Sequence, residues 1–337
     1  MPTEFEWIAR IRAGIPDAAP GVEIGPGDDC AAVEGRAGFL TLLTVDALVD
    51  GRHFERSWID PEALGRRLVA INVSDIAAMG GVPRWGLLSL VVPQPLADPW
   101  IEGIGRGAAA ALHEFGAALV GGNLSGTDGA LVADLALVGE VERERVLRRS
   151  AALPGDVIGI TGDLGAAAMA LAVRSRAAPR SADEFAVVRR HIEPRPRVAE
   201  GRALSAAGGV GAAIDVSDGL LADLGHLCAA SGVGAEVEVA RVPISESART
   251  LAARMGVDAE ALALAGGEDY ELLFTARAEA FDAIARSIHE ATGTPVRAIG
   301  RVVERDACPR VRAVGPDGLE RTPPDGGWDH FREGRPR

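Results

Sequence analysis

The stretch GPGDDCAAV, residues 25–33, places two adjacent aspartates between a turn and a predicted strand. Gly-Pro-Gly favours a turn, and the small apolar run after Asp28 and Asp29 is typical of a buried strand. Neighbouring carboxylates repel each other, and burial increases that cost. Either both side chains point into water, or a cation binds there; for Asp28 a turn-forming role is the preferred interpretation.

Further aspartates follow the same pattern along the chain. They lie at predicted strand ends, turns or apolar helix faces, and their neighbours are Gly, Ala, Val and Ser rather than Arg. Oxygen-rich clusters without basic partners suit Mg²⁺, which binds one or two carboxylates and completes its coordination with water and substrate phosphates. Each aspartate alone could be a turn residue, a helix cap or a buried acceptor, but together they favour a metal site. The set is Asp29, Asp46, Asp75, Asp215 and Asp218.

Composition limits both the fold and the function. A chain of 337 residues, 47% of them hydrophobic, predicts two domains of mixed helix and strand. The net charge of -13 argues against nucleic-acid and anionic-membrane partners, since both require a basic face. The sequence contains no lysine, so metal ions and arginine must supply the positive charge at any phosphate site. No apolar run is long enough to span a bilayer, and the three cysteines show no metal-binding spacing, so we expect a cytoplasmic protein with reduced thiols.

Two glycine pairs and two single residues complete the candidates. LVGGN (residues 119–123) and LAGGED (residues 264–269) place glycines after predicted strands, where backbone N–H groups can approach a phosphate; a tight turn is the alternative. His53 lies in a predicted loop beside acidic residues and either contacts a phosphate ester or faces solvent. Trp328, within GGWDHF, either stacks on a ligand ring or anchors the tail.

Seven motifs occur together in an order typical of one enzyme family. They are GDDCAAV, TVDALVDGRHF, NVSDIAAMGG, LVGGN, DVSDGLLADLGHL, GGEDYELLF and GWDHF, and the match extends from about residue 4 to residue 331. The ordered set resembles the bacterial thiamine-monophosphate kinases, within the superfamily of aminoimidazole ribonucleotide synthetase. The resemblance implies an α+β fold of two domains and a homodimer whose N-terminal sheets form a barrel across the interface. It also implies ATP-dependent phosphorylation of thiamine monophosphate to thiamine diphosphate.

The resemblance further implies domain limits and roles for single residues. Residues 1–145 would form an ATP- and metal-binding domain that also dimerises, and residues 146–337 a C-terminal α+β domain that completes the active site. Several Mg²⁺ ions would be held by Asp29, Thr44, Asp46, Asp75, Asn123, Asp215 and Asp218. ATP would contact Gly122, Asn123, Arg149 and Ser217. Thiamine monophosphate would contact His53, Glu268 and Trp328.

Two of these positions depart from the family pattern. The family usually has Asp where this chain has Asn123, which removes a charge from one expected metal site. It often has Tyr where this chain has Trp328, a change that keeps an aromatic face. Because the acceptor phosphate is already an anion, we expect direct in-line transfer, in which metal ions and positioning lower the barrier and no side chain acts as a strong base.

Two alternatives stay open at the level of the sequence. One is another ATP-dependent synthetase of the same superfamily, although the selenophosphate enzyme needs a reactive residue in a mobile glycine-rich segment, whereas Cys30 lies inside the metal motif. The other is a non-catalytic nucleotide-binding homologue that has lost one metal position at Asn123.

Overall fold

The computed structural model describes residues 4–15, 19–96, 98–174, 181–305 and 311–321. The chain forms two compact units: one contains the described residues of 1–76 and 81–144, and the other those of 77–80 and 145–321. Each unit is built around its own six-stranded sheet. Among the described helices, none combines the length and the apolar character needed to cross a membrane.

The first unit combines helices with a mainly antiparallel sheet. Its helices are α1 (Glu4–Arg12), α2 (Pro61–Ala78) and α3 (Asp98–Glu114). Its strands are β1 (Val22–Ile24), β2 (Ala31–Glu34), β3 (Phe39–Val49), β4 (Val82–Pro93), β5 (Ala118–Thr127) and β6 (Val132–Glu142). The strand order is β1-β2-β3-β6-β4-β5, and only β4 and β5 run parallel.

One face of the first sheet is packed against helices. Alternation along the strands buries Leu42 and Leu135 completely on this face. Helix α2 contributes Ile76, which lies beside Gly139 of β6, and α3 contributes Leu112, which lies beside Gly86 of β4. The packed face therefore holds the core of the first unit.

The opposite face of the same sheet is open and apolar. Leu43 and Val45 on β3 and Trp85 and Leu87 on β4 are each between 40% and 60% exposed. Strand β6 lies between β3 and β4 and pairs with both. Leu43 and Trp85 are opposite the same residue of β6, and so are Val45 and Leu87. We define these four residues as the open face. A continuous exposed apolar patch of this kind marks an interaction surface.

Two strands of the first unit extend further than the sequence predicts. The run at residues 39–45 predicts a strand that ends at Asp46, but β3 continues to Val49 because β6 pairs with it at every position. Asp46 therefore lies inside a strand. The glycines of LVGGN likewise lie within β5 rather than after it. A Cβ at Gly122 would clash with the carbonyl group of Leu88, so close packing of neighbouring strands, not a turn, requires this glycine.

The second unit is a sheet covered on both sides by helices. Its helices are α4 (Ala166–Val173), α5 (Ala182–Ile192), α6 (Val198–Ala206), α7 (Leu220–Ser231), α8 (Glu246–Met255), α9 (Ala259–Ala265) and α10 (Ala278–Thr292). Its strands are β7 (Val157–Thr161), β8 (Val210–Asp215), β9 (Gly234–Glu238), β10 (Leu272–Ala276), β11 (Val296–Val303) and β12 (Val311–Val314). The strand order is β12-β9-β11-β7-β10-β8, and only β12 and β9 run parallel.

Two hydrophobic clusters hold this second sheet between its helices. On one side, Leu224 of α7 packs in a cluster with Ile214 of β8. On the other side, Leu204 of α6 and Ile284 of α10 pack in a cluster with Phe274 of β10. All five side chains are buried, so the sheet is fixed on both faces.

The candidate residues of this unit lie at the end of the sheet where β7 and β8 finish and β10 begins. Strand β7 ends at Thr161 and β8 at Asp215, and β10 begins beside them at Leu272. The glycines of LAGGED, expected after a strand, follow helix α9 instead. A Cβ at Gly267 would clash with the carbonyl oxygen of Ser217. The two motifs are thus in direct backbone contact, which no reading of either motif alone could show.

Candidate active-site residues

The candidate ligands of the first unit lie on β3 and α2. The backbone N–H of Asp46 donates to Oδ1 of Asn72 (3.0 Å), and the hydroxyl group of Thr44 donates to Oδ2 of Asp75 (2.5 Å). Asn72 is oriented in turn by donating its Nδ2 to the carbonyl group of Leu68 (2.9 Å). Asn72 and Asp75 are three positions apart and share one helix face. The structure therefore brings Thr44, Asp46 and Asp75 together.

Asp28 and Asp29 lie in different environments. Oδ1 of Asp28 accepts the backbone N–H of its direct neighbour Asp29 (3.2 Å), whereas the bond that defines an Asx turn goes to the N–H two residues on. The side chain of Asp29 is buried at the start of the following strand. The turn role expected of Asp28 and the metal-binding role of Asp29 both stay predictions.

Asp46 has a perturbed carboxyl group. Desolvation of the carboxyl group by the surrounding protein raises its pKa to about 6, and repulsion from the carboxylates of Asp134 and Glu4 adds to the rise. The side chain is nevertheless open to solvent, so a cation can reach it. A bound cation would favour the charged form and reverse the shift.

Asp134 is an acidic residue that the sequence analysis does not single out. It lies on β6, and burial raises its pKa as well. The signal is present in ALVADLALVG (residues 130–139), an apolar stretch in which Asp134 is the one charged residue. Because it contributes to the perturbation of Asp46, it belongs to the electrostatic surroundings of the candidate site.

The side chains of Asn123 and Asp46 lie on opposite faces of the first sheet. Parallel pairing aligns Asn123 with Ser89 on β4, and antiparallel pairing aligns Ser89 with Asp134 on β6. Asp46 instead pairs with Leu135, which is fully buried on the packed face. The described residues of the first unit therefore do not place Asn123 beside Asp46. The metal role of Asn123 stays a prediction, as does the nucleotide contact expected of its neighbour Gly122.

His53 closes the turn that follows β3. Its backbone N–H donates to the carbonyl group of Val49 (2.9 Å), and its Nδ1 accepts the backbone N–H of Val49 (2.9 Å). Since Nδ1 is an acceptor, the neutral ring carries its proton on Nε2. His53 thus has a structural role, and Nε2 is the atom that would meet a substrate phosphate.

A buried carboxylate organises the turn that follows β8. Oδ2 of Asp223 accepts the backbone N–H groups of Ser217 (3.1 Å), Asp218 (3.1 Å) and Gly219 (3.0 Å). Burial raises the pKa of Asp223 well above its usual range, and repulsion from Asp218 and Asp215 raises it further. Sequence analysis does not single out Asp223, although its place in the first turn of α7, where free N–H groups need acceptors, is a usable signal.

The same turn gathers oxygen and nitrogen atoms that suit a metal ion. One such atom from each of Asp218, Asp223 and His226 lies within 4.8 Å of the others. Asp215 ends β8 and is buried beside them, close enough to repel the charge of Asp223. The charge of Arg149 has the opposite effect on the same group, so Arg149 also lies near this turn. The nucleotide contacts expected of Arg149 and Ser217 stay predictions.

The segment GGEDYE, residues 266–271, packs against this turn in a strained conformation. Glu268 and Tyr270 have positive φ angles, 68° and 51°, which are disfavoured for residues with a Cβ atom. The N–H of Glu268 donates to the carbonyl group of Ser217 (2.8 Å), and that of Tyr270 to the carbonyl group of Val216 (2.9 Å). Backbone strain held in this way is common at functional sites, so the segment is a second candidate region.

The next acidic side chain of this segment caps a helix. Asp269 accepts the backbone N–H groups of Gly165 (2.7 Å) and Ala167 (3.2 Å) at the start of α4. Its side chain is buried, and this burial raises its pKa to about 7 even though both hydrogen bonds oppose the rise. Asp269 is therefore a structural member of the segment. Glu268, beside it, is the residue expected to contact the substrate.

Family models match the chain in two parts. The model of AIR synthase related protein, N-terminal domain, matches residues 27–141, and that of AIR synthase related protein, C-terminal domain, matches residues 154–308. The thiamine-monophosphate kinase of Salmonella typhimurium is 38% identical over 97% of this chain and 98% of its own length. The chain belongs to the thiamine-monophosphate kinase family.

Solved structures of thiamine-monophosphate kinases share the fold. AaThiL complexed with AMPPCP and TMP matches with a TM-score of 0.84 and 33% identity, over 98% of this chain and 97% of that chain. The thiamine-monophosphate kinase from Stenotrophomonas maltophilia K279a matches with a TM-score of 0.76 and 38% identity, over 94% and 96%. The family and the two-domain fold of mixed helix and strand, both expected from the ordered motifs, are confirmed. Trp328 lies outside the described residues.

Proposed function

We propose that this chain transfers the γ-phosphoryl group of ATP to thiamine monophosphate, forming thiamine diphosphate and ADP. The observation that carries the proposal is the similarity over 98% of the chain to AaThiL, which was solved with AMPPCP and TMP. The full-length identity of 38% to the Salmonella kinase supports the same reaction. Both units also provide the clustered acidic side chains that phosphoryl transfer with metal ions requires.

We further propose that several Mg²⁺ ions take part. The donor set fits this ion, because each of the proposed ligands named below offers an oxygen atom and no lysine is present to neutralise phosphates. When bound, the ions would neutralise phosphate oxygens and align the two substrates. The proposed ligands are Asp29, Thr44, Asp46, Asp75, Asn123, Asp215 and Asp218.

The side chains of the protein act by positioning. A phosphate oxygen of the acceptor forms a bond to the γ-phosphorus while the bond to the β–γ bridging oxygen breaks, and ADP leaves with that electron pair. The attacking oxygen carries no proton that must be removed, so no general base is required. Gly122, Arg149 and Ser217 would orient the nucleotide, and His53, Glu268 and Trp328 would orient thiamine monophosphate. We propose direct transfer without a phosphorylated enzyme.

We propose a homodimer in which the first sheets of two copies form a barrel. The open face supports this proposal, because Leu43, Val45, Trp85 and Leu87 form an exposed apolar surface across neighbouring strands. An apolar face of a sheet is stable in water only when another layer covers it. In this proposal, residues 1–145 bind ATP and dimerise, and residues 146–337 complete the site. We also propose a cytoplasmic location, in keeping with the buried thiols of Cys30 and Cys228.

A single-turnover assay tests the proposed reaction. Enzyme in excess over γ-labelled ATP is mixed with thiamine monophosphate and Mg²⁺, and the products are separated by chromatography. We expect label in thiamine diphosphate, none on the protein, and no product after chelation of the metal. Bound ATP without product would identify a non-catalytic homologue. Labelled protein that passes its label to the acceptor would refute direct transfer.

A further inference from the structure

Helix α5 places a buried histidine beside the carboxylate expected to contact the substrate. His191, in the last turn of α5, is only 2% exposed. Its Nδ1 lies 3.0 Å from Oε2 of Glu268, an ion-pair distance, although the two atoms are not aligned as a regular hydrogen bond. The side chain of Glu268 is 23% exposed, so it connects a buried group to the surface of the unit.

The backbone alone does not fix the carboxylate of Glu268. The bond from its N–H to the carbonyl group of Ser217 holds the main chain, but three side-chain torsions remain free to rotate. His191 approaches from the buried side and restricts that rotation. The same turn of α5 is itself anchored, because Arg190 donates to Glu271 (3.0 Å) and to the carbonyl group of Asp163 (3.2 Å).

We propose that His191 is a positioning residue that holds the carboxylate of Glu268 in the orientation that binds thiamine monophosphate. This inference rests on the proposed function and on the substrate contact assigned to Glu268. His191 is too deeply buried to meet the substrate, so its effect passes through the glutamate. The positive charge on the thiazolium ring is the feature of the substrate that a fixed carboxylate would recognise.

Two substitutions of His191 separate positioning from packing. His191→Leu keeps an apolar volume but removes the ring nitrogen Nδ1 that approaches Glu268, whereas His191→Asn places an amide nitrogen near the position of Nδ1. For His191→Leu we expect the KM for thiamine monophosphate to rise about tenfold, the size expected for the loss of one contact to a charged group. The KM for ATP and kcat should change less than about twofold, since neither depends on Glu268 in this proposal. His191→Asn should restore most of the affinity.

A matched control and a double variant complete the kinetic test. Arg189→Leu removes a cation from the same turn, where Arg189 is exposed and pairs with Glu193, and should leave both KM values unchanged. In a Glu268→Ala background, His191→Leu should have no further effect on the KM for thiamine monophosphate. Additive effects, equal changes in both KM values, or an Asn variant as impaired as the Leu variant would overturn the inference.

Nuclear magnetic resonance of the ligand-free protein tests the contact if His191→Leu does not fold. The ¹⁵N resonance of Nδ1 in His191 should shift when Glu268 is replaced by Gln, and an unchanged resonance would overturn the inference. The two proposals fail differently. If the wild-type chain forms no thiamine diphosphate, the proposed function fails; if it does, and the His191 variants behave like the Arg189 control, only the positioning role fails.

Discussion

Arg197 and Glu271 form a bidentate ion pair inside the second unit, with Nε and Nη2 of the arginine each 2.6 Å from a carboxylate oxygen. Glu271 is 1% exposed and also accepts bonds from the hydroxyl group of Thr161 (2.7 Å) and from Arg190 (3.0 Å). Burial by itself would lower the pKa of Arg197, but the bond to Glu271 and its charge raise it. The pair ties the start of α6 to the strained segment before β10.

Removal of Arg197 should destabilise the second unit strongly. Arg197→Ala leaves the buried carboxylate of Glu271 only partly compensated, and breaking such a pair costs about 3 kcal/mol or more. Urea denaturation measures the loss in the free energy of unfolding. Arg312→Ala is the control, because Arg312 pairs with Glu236 at the surface, where such a pair contributes less than about 1 kcal/mol. Equal losses in the two variants would contradict a buried role for the pair.

Asp269 should make the stability of the fold fall as the pH rises. Its pKa is about 7 in the folded state and 3.8 without the fold, so between these values the folded state binds more protons than the unfolded chain. The free energy of unfolding therefore decreases from about pH 4 to about pH 7, by at most about 4 kcal/mol from this group. Asp269→Asn cannot ionise, so the advantage in Tm of the wild type over this variant should shrink across that range.

A second helix cap provides the control for this pH effect. Asp258 accepts the N–H groups of Glu260 (2.9 Å) and Ala261 (3.2 Å) at the start of α9, but in an exposed position. Asp258→Asn therefore reports what a changed cap does at the surface. If the difference in Tm between the wild type and Asp269→Asn is constant from pH 5 to pH 8, the buried carboxyl group does not titrate in that range.

Asp223 should tolerate Asn but not Ala. Only one of its oxygen atoms accepts the N–H groups of Ser217, Asp218 and Gly219, and an Asn side chain can supply that oxygen. Asp223→Ala leaves these donors without an acceptor, at about 1–3 kcal/mol for each donor that stays buried. We expect Asp223→Ala to lower Tm and raise the KM for ATP, and Asp223→Asn to keep the fold. An Ala variant as stable as the Asn variant would show that the turn forms without this acceptor.

A charge on the open face should separate the proposed dimer. Leu87→Asp places a carboxylate on the open face, where burial in an interface would cost several kcal/mol. We expect a monomer by light scattering with an unchanged circular dichroism spectrum. Leu319→Asp is the control, since Leu319 is 63% exposed in the second unit and is not one of the four residues of the open face. A dimeric Leu87→Asp variant would show that this face is not the interface.

The sequence predicts the family and most elements, because ordered motifs and local periodicity are properties of neighbouring residues. The strand ends expected before the glycines of LVGGN and LAGGED are both wrong: β5 runs through LVGGN, and helix α9 rather than a strand precedes the glycines of LAGGED. β3 and β5 continue as long as their partners pair with them, and Gly122 and Gly267 are required by backbones distant in the sequence. No local pattern contains those partners.

The candidate site divides in the same way. The motifs indicate Asp46, Asp75 and Asp218, because each lies within a short run of neighbouring residues. They do not indicate the residues that position these motifs in the fold. Asp223 and His191 act through geometry that exists only in the folded chain. The pairing of β5 with β4 also directs Asn123 to the face opposite Asp46, a relationship that the motifs alone do not show.

Asn123→Asp tests whether this position binds a metal ion. An Asn oxygen can bind Mg²⁺ but adds no negative charge, so restoring the carboxylate should lower the Mg²⁺ concentration that gives half the maximal rate, by about threefold to tenfold given the dependence of such sites on ligand charge. The rate is titrated against free Mg²⁺ at saturating ATP. Ser125→Asp is the matched control. Ser125 lies two positions further along β5 on the same face, and its hydroxyl group accepts a hydrogen bond from Asn123 (3.1 Å). The Ser125→Asp substitution therefore adds the same charge close to Asn123 but not at the proposed ligand position. A lower requirement only in Asn123→Asp identifies a ligand. Equal behaviour of the two variants would show a general effect of charge, and an unchanged requirement would leave Asn123 a structural residue of the strand.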